Sequence, residues 1–222
     1  MRNFGLIALL VLGGSAQAAS FDCAKAATAT EKLICSKQRI SDLDEYLGRY
    51  YYTARAELGR SASCLVQNQR EWLRSVRNVC KDSNCLERVY LNRLAELDPL
   101  QLGATALKNE NLPFVQALVW VIGPESDQVA APPLKTHEPL VVRGKILDDT
   151  DGGNGFVIQD AKGIKFILLS AMFIDKPSYN GLESLTQGEP HTYEARGERE
   201  SQPDGSANFA PSACRFVYRL PK

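Results

Sequence analysis

Apolar residues recur at helical spacing through the first half of the chain and closer to strand spacing through the second. Leu43, Leu47, Tyr50, Ala54 and Leu58 lie three or four apart and predict one stripe of an amphipathic helix. Ser41-x-x-Asp44 precedes that run, and Gly59 is placed to end it. Leu65, Trp72, Val76 and Val79 predict the stripe of a next helix starting near Ser63. Asn84-x-x-Glu87 has the form of a cap for a further helix, which turns Leu86, Tyr90, Leu94 and Leu97 inward and stops at Pro99. Ahead of these, Thr28-x-x-Glu31 is either a capping box or the interior of a helix that begins near Asp22. Connections this short predict antiparallel neighbours.

From Pro139 the period shifts. Val141, Arg143, Lys145 and Leu147 alternate with Val142, Gly144, Ile146 and Asp148, and Gly152-Gly153-Asn154-Gly155 is a strong turn signal. Phe156 to Asp160, Ile164 to Leu169, Tyr193 to Glu200 and Phe209 to Leu220 bring the strands to five, with a short helix at Leu182 to Leu185. Five short strands with a helix between the third and fourth predict a small closed barrel of OB type. A small β-sandwich is the alternative. Arg143-Gly144-Lys145-Ile146 and Ala195-Arg196-Gly197-Glu198 place a glycine where closure needs a sharp coil. Between the halves, Phe114 to Ile122 is a helix or a buried strand, and Asp127 to Glu138, with Pro132-Pro133, reads as a linker. The fold class is therefore α+β in two domains. A helical bundle at 19–98 and a β domain at 139–222 are joined by a connector at 99–138.

The first eighteen residues read as an address. Arg2, the apolar stretch Phe4 to Leu12 and Ala16-Gln17-Ala18 fit a secretory signal cleaved after Ala18. The stretch is too short to anchor the chain in a bilayer, so no stable membrane insertion is expected after cleavage. The expected place is a bacterial periplasm or the exterior. There an even number of cysteines reads as disulfides, and the six here are Cys23, Cys35, Cys64, Cys80, Cys85 and Cys214. Their spacings, 12, 29, 16, 5 and 129, lack the tight pairs of zinc sites, and no metal or other cofactor is expected. If one helix runs from Asp22 to Cys35, its rise separates Cys23 from Cys35 by roughly 18 Å. Bonded cysteines need Cα atoms within about 7 Å. That pair is then excluded unless the helix breaks, and Cys64–Cys80 is excluded likewise. Cys35 is expected near Cys80 or Cys85, Cys80 with Cys85 across a turn is the alternative, and Cys64 is the expected partner of Cys214.

Composition narrows the function classes. Apolar residues make up 44% of the 222 and charged residues 23%, an ordinary globular balance. Formal net charge is zero, with +2 on residues 19–98 and −3 on 99–222. A negative barrel is a poor groove for single-stranded nucleic acid, and no nucleic-acid partner is expected.

Phe21-Asp22-Cys23, Glu31-Lys32-Leu33-Ile34-Cys35, Leu43-Asp44, Gln69-x-x-Trp72, Arg77-x-x-Cys80 and Cys85-Leu86 occur in that order. They resemble the N-terminal domain of LprI-type lysozyme inhibitors, over roughly residues 20 to 98. The resemblance implies a secreted helical domain and inhibition of a lysozyme, with Cys64 an addition to the usual pattern. Physical reading gives its motif residues scaffold roles. Glu31 belongs to the helical framework, Trp72 fills the core, Gln69 bonds a loop carbonyl, and Arg77 with Asp44 forms an ion pair or faces water.

No catalytic motif is visible. G-x-S-x-G, H-E-x-x-H and a phosphate loop are all missing, and His137 and His191 belong to no nucleophile motif. Paired carboxylates can converge from distant positions, so a wall-glycan enzyme stays a third reading. Asp148-Asp149-Thr150-Asp151 alternates oxygen ligands as calcium would want, but lacks the bidentate glutamate, and a polar hairpin turn is favoured. The leading expectation is a non-enzymatic lysozyme inhibitor that occludes the glycan cleft. A periplasmic module that binds another envelope protein or a ligand is the alternative. Acidic clusters suit a basic lysozyme, and Asp42, Asp44 and Glu45 or Asp148, Asp149 and Asp151 are the candidate contacts.

Overall fold

Caps and one extra-wide turn, more than the apolar stripes, decide where the helices begin and which way they face. The computed structural model describes residues 19–101, 110–113, 115–125 and 138–222. The expected signal and nearly all of the expected linker lie outside these residues. Cys23–Lys25 is a single 3-10 turn, capped by the Asp22 carboxylate, which accepts from the Ala24 N–H at 3.0 Å. Thr28 is extended, and helix α1 runs from Ala29–Ser36. Thr28 Oγ1 accepts from the Glu31 N–H, and the Glu31 carboxylate accepts from the Thr28 and Ala27 N–H groups. This is the capping box, and it starts the helix seven residues later than the Asp22 alternative.

Helix α2, Gln38–Glu57, buries Leu43, Leu47, Tyr50 and Ala54 on the expected stripe. Ser41 and Asp44 lie inside it and not before it. Gly59, at φ 51°, ends it, since a β-carbon strains that left-handed conformation. Helix α3, Ala62–Trp72, continues into a π turn, Leu73–Arg77, in which the Asn78 N–H donates to the Leu73 carbonyl at 3.0 Å. The wide turn shifts the stripe. Val76 and Val79, expected in the core, are 36% and 57% exposed, while Arg77 turns inward. Helix α4, Ser83–Leu97, is capped by Asp82 and not by Asn84, which sits in its first turn. Leu86, Tyr90, Leu94 and Leu97 are buried as expected. Side-chain links Arg39–Glu87, Asp44–Tyr90 and Tyr50–Asp98 climb α2 and α4 in the same direction. Gln69–Arg93 and Trp72–Tyr90 run oppositely, so α3 returns antiparallel to α4.

The second half is a curled antiparallel sheet. Its strands are β1 Ala117–Ile122, β2 Pro139–Asp149, β3 Gly155–Gln159, β4 Lys165–Leu169, β5 Tyr193–Ser201, β6 Ala207–Phe209 and β7 Arg215–Arg219. The order is β1-β7-β5-β2-β3-β4, with β6 on β5. The apolar run before Ile122 is thus a strand. The single strand expected from Phe209 to Leu220 is two, and helix α5, Lys176–Thr186, is longer than expected because Asp175 caps it ahead of Leu182. β2 pairs with β5 up to Gly144 and with β3 from Lys145 onward. A β-carbon on Gly144 would stand 1.8 Å from the Gln159 carbonyl oxygen, so only glycine lets the strand coil there. The curl carries β4 round to β6, where the Ile167 N–H donates to Asn208 Oδ1 at 2.8 Å and Phe166 meets Phe209 edge to face.

Both faces of β1 and β7 are buried. Val119, Ile122 and Val217 belong to the sheet's inner core with Phe156, Ile158 and Leu182. Leu118, Val121 and Tyr218 pack instead in the helical core with Leu43, Leu65 and Leu94. The Gly123 N–H donates to Ser61 Oγ at 2.8 Å, and Cys64 is bonded to Cys214, as expected. Cys80 is bonded to Cys85 across the turn before α4. Cys23 is bonded to Cys35 with Cα atoms 5.7 Å apart, which overturns the exclusion of that pair and the expectation that Cys35 lies with Cys80 or Cys85. The reason is the break between the 3-10 turn and α1, which folds the first segment back on the helix.

Loop-closure entropy ranks these links, at about 5 kcal/mol for the 150-residue separation and about 2 for the five-residue one. The double variant Cys64→Ser/Cys214→Ser is expected to lose at least twice the stability lost by Cys80→Ser/Cys85→Ser. Urea unfolding of the oxidised proteins reads the difference, and equal losses would contradict it.

Candidate functional site

Two buried carboxylates, Asp44 and Glu194, and the partly buried Glu125 are each paired with an arginine. Asp44 sits on α2 between Leu43 and Leu47 and is only 3% exposed. Its Oδ2 accepts from the Ser20 N–H at 2.9 Å and the Ser20 hydroxyl at 2.5 Å. Its Oδ1 accepts from the Tyr90 hydroxyl at 2.6 Å and lies 3.6 Å from the Arg77 guanidinium. Burial and the Asp44 charge push the Tyr90 hydroxyl far above the ordinary tyrosine range, so it stays a donor. The expected Arg77–Asp44 pair is therefore present. Asp44 as a surface contact is corrected: it ties α2, α4, the π turn and the start of the described chain together. Its companions on α2 are turned outward. Asp42 accepts from Gln38, and Glu45 pairs with Arg49 at 3.8 Å.

Trp72 is core, edge to face with Tyr90 at 5.7 Å. Gln69 accepts from the Arg93 guanidinium at 3.0 Å and not, as expected, through a loop carbonyl. Arg93 is buried, with Glu96 at 2.6 Å and Asn68 at 2.7 Å. At the edge where the sheet leaves the helices, Glu194 of β5 is 2% exposed and accepts from Arg143 and Arg196, each at 2.6 Å. Burial pushes its carboxyl up, but the two arginines outweigh that and hold it below the ordinary glutamate range. Arg196 also lies over the Tyr218 ring and donates to Gln116. Arg215, fully buried, holds Glu125 at 3.0 Å and the Gly123 carbonyl at 2.9 Å. Arg143 and Arg196 were marked in the sequence only as flanks of glycines, and Glu194, Glu125 and Arg215 were not singled out, because their partners come from distant strands. The one local signal is the alternation that puts Arg143 and Lys145 on the outer face of β2.

The candidate site is the end of the sheet where the β2–β3 turn, the β4–α5 loop and α5 meet. Asp148 is exposed and accepts from the Thr150 N–H and hydroxyl. Asp151 is exposed at the tip of the turn. Asp149 is half-buried and bonded to Lys165 at 2.9 Å and Asn154 at 3.2 Å, which hold it below the ordinary aspartate range, Lys165 foremost. The Tyr179 ring of α5 meets Phe156 edge to face at 5.2 Å. Its hydroxyl is raised above the ordinary tyrosine range by Glu183 first, then by burial and by Asp148 and Asp151. Two chain segments, the β2–β3 turn and α5, thus set three carboxylates within electrostatic reach of one phenol. Beside them, in the β4–α5 loop, Met172 is 96% exposed and Ile174 42% exposed. The sequence marked Asp148, Asp149 and Asp151. It did not mark Glu183 or Tyr179, which α5 supplies from about thirty residues away, and no local pattern in the sequence ties them to the turn.

The calcium reading does not fit this loop. The Lys165 ammonium occupies the Asp149 carboxylate, and Asp160 is spent on the Lys162 and Ile164 N–H groups. Among the described residues no group of three or more His, Cys, Asp or Glu side chains is placed to hold a metal ion. His191 stands beside Tyr193, and His137 lies outside the described residues. No known protein family, curated protein or solved structure matches this chain.

Glu194 carries the pH dependence of the seam. Its folded pKa is depressed, so its stabilisation is present at neutral pH and is lost as pH falls through the folded value. Glu194→Gln is expected to cost about 1–2 kcal/mol at pH 7, and less at pH 3, where the wild-type carboxylate is itself being neutralised. Urea midpoints at the two pH values check this, and an equal cost at both would contradict it. Asp44→Asn, which leaves Arg77 facing an uncharged amide, is expected to cost more, about 3–5 kcal/mol at pH 7.

Proposed function

We propose that this chain is a secreted, non-enzymatic protein of the bacterial envelope that inhibits a lysozyme by covering its glycan cleft. The acidic end of the sheet carries the reading. Asp148, Asp151 and Glu183 all act on the Tyr179 hydroxyl there, and the β4–α5 loop, whose Ala171 backbone lies against Gly155 after the turn, adds exposed Met172 and Ile174. Negative charge steers a basic enzyme into encounter, and an apolar rim supplies area that water leaves on contact. The motif order of the helical half, which resembles LprI-type inhibitors, supports the same partner. Three disulfides support an oxidising compartment, and no helix among the described residues is long and apolar enough to cross a membrane. On this reading the curled sheet, with α5 between β4 and β5, acts as an OB-like barrel domain that presents the contact surface. The helical half is the domain that braces it. The buried carboxylates Asp44 and Glu194 and the partly buried Glu125 are each held by an arginine, which suits a scaffold better than a general acid.

A cell-wall lysis assay with purified, oxidised residues 19–222 tests the reading. Dose-dependent inhibition is expected. Asp148→Asn/Asp151→Asn/Glu183→Gln is expected to weaken it at least tenfold while leaving the circular dichroism spectrum intact, and inhibition by the wild type is expected to fall with added salt. Folded protein that leaves lysis untouched would overturn the proposal. Inhibition that the triple variant retains in full would move the contact away from the acidic end.

A further inference from the structure

The outward face of α3 carries a feature that lysozyme inhibition does not use. Ala62, Ser63, Val66, Gln67 and Arg70 follow one another at helical spacing on the side opposite buried Cys64, Leu65, Gln69 and Trp72. With Arg55 from the last turn of α2 they line an open groove of about 530 Å³. Two cations therefore converge on it from two helices.

What sets them apart is that neither has a carboxylate partner among the described residues. Along α2, α3 and the π turn, Arg39, Arg49, Arg74 and Arg77 each hold a carboxylate. Arg55 and Arg70 hold none among the described residues; Arg55 only rests over the Tyr51 ring at 5.5 Å. Both are exposed and line the same groove, so an anion placed in it would meet positive charge from two helices. Guanidinium groups offer paired N–H donors whose geometry matches the oxygens of a carboxylate or phosphate. Ser63 and Gln67 add a hydroxyl and an amide to the same wall, and Ala62 with Val66 gives it a half-buried apolar floor.

We infer that this groove is a binding site for an oxyanion, held between Arg55 and Arg70, with the ligand's uncharged body lying over Ala62 and Val66. The recognised chemistry is a carboxylate or phosphate on a compact, sugar-sized molecule. The site is separate from the acidic end of the sheet and does not rest on lysozyme inhibition.

Amide chemical shifts of the oxidised full chain test it, with inorganic phosphate, N-acetylmuramic acid and uncharged N-acetylglucosamine as probes. Saturable shifts centred on Ser63, Val66, Gln67 and Arg70 are expected with one or both of the anions. Phosphate alone would assign a phosphate source, N-acetylmuramic acid alone a carboxylate source, and both would assign the shared oxyanion. Arg55→Gln/Arg70→Gln is expected to weaken binding at least tenfold with distant resonances unchanged, and Arg55→Lys/Arg70→Lys to recover part of it. Shifts from neither anion, equal binding of N-acetylglucosamine, or anion binding untouched by the glutamine pair would each overturn the inference.

Discussion

Strands β1 and β7 bury apolar side chains on both faces, and that constraint organises the molecule. A sheet buried on one side can leave its other side to water, but Leu118, Val121 and Tyr218 cannot be left there without exposing a broad apolar surface. The helices cover them. The inner face, with Val119, Ile122 and Val217, is covered by the curl of the sheet and by Leu182 of α5. The helical half and the sheet thus complete one another's cores at a shared pair of strands, and the Cys64–Cys214 disulfide is set at the same contact.

The polar residues of this contact are placed by the same requirement. Where the helices end and the sheet runs on into solvent, burial becomes partial, and charged groups there must be paired or hydrated. Arg93 with Glu96, and Glu194 with Arg143 and Arg196, stand at that margin. Asp44 plays the corresponding part inside the helices. Its three hydrogen-bond donors come from Ser20 and Tyr90, and Arg77 adds an ion pair, so one carboxylate sets the relative placement of elements that share no backbone hydrogen bonds. These networks are costly to break one partner at a time, which favours a single arrangement.

The proposed contact surfaces use what the framework leaves over. The acidic end of the sheet draws on a turn, a loop and the outward side of α5, where side chains are free of the core's packing demands. The groove on α3 lies on the face that the helix does not need for burial. The two surfaces carry opposite charge on a chain whose net charge is zero, so each acts through its local field.

Periodicity and local chemistry were enough to locate much of this. The buried stripe of α2, the capping box at Thr28 and Glu31, the core role of Trp72 and the strand–turn–strand around Gly152 to Gly155 all depend on residues a few positions apart, and such interactions are written in local order. The triplet Asp148, Asp149 and Asp151 was visible for the same reason. The tertiary structure decided what local order cannot carry. The π turn after Trp72 sent Val76 and Val79 outward and Arg77 inward, because Asp44 waits on another helix to receive the guanidinium. The break before α1 let Cys23 reach Cys35. Asp44, one of three nearby acids on α2, was buried because its partners lie 24, 33 and 46 residues away in the chain. Glu183 and Tyr179 joined the acidic end because α5 folds back on Phe156. A pattern of hydrophobic positions specifies which face of an element seeks burial. Which polar side chain is carried in with it depends on the donors that other elements bring, and only the assembled chain holds that information.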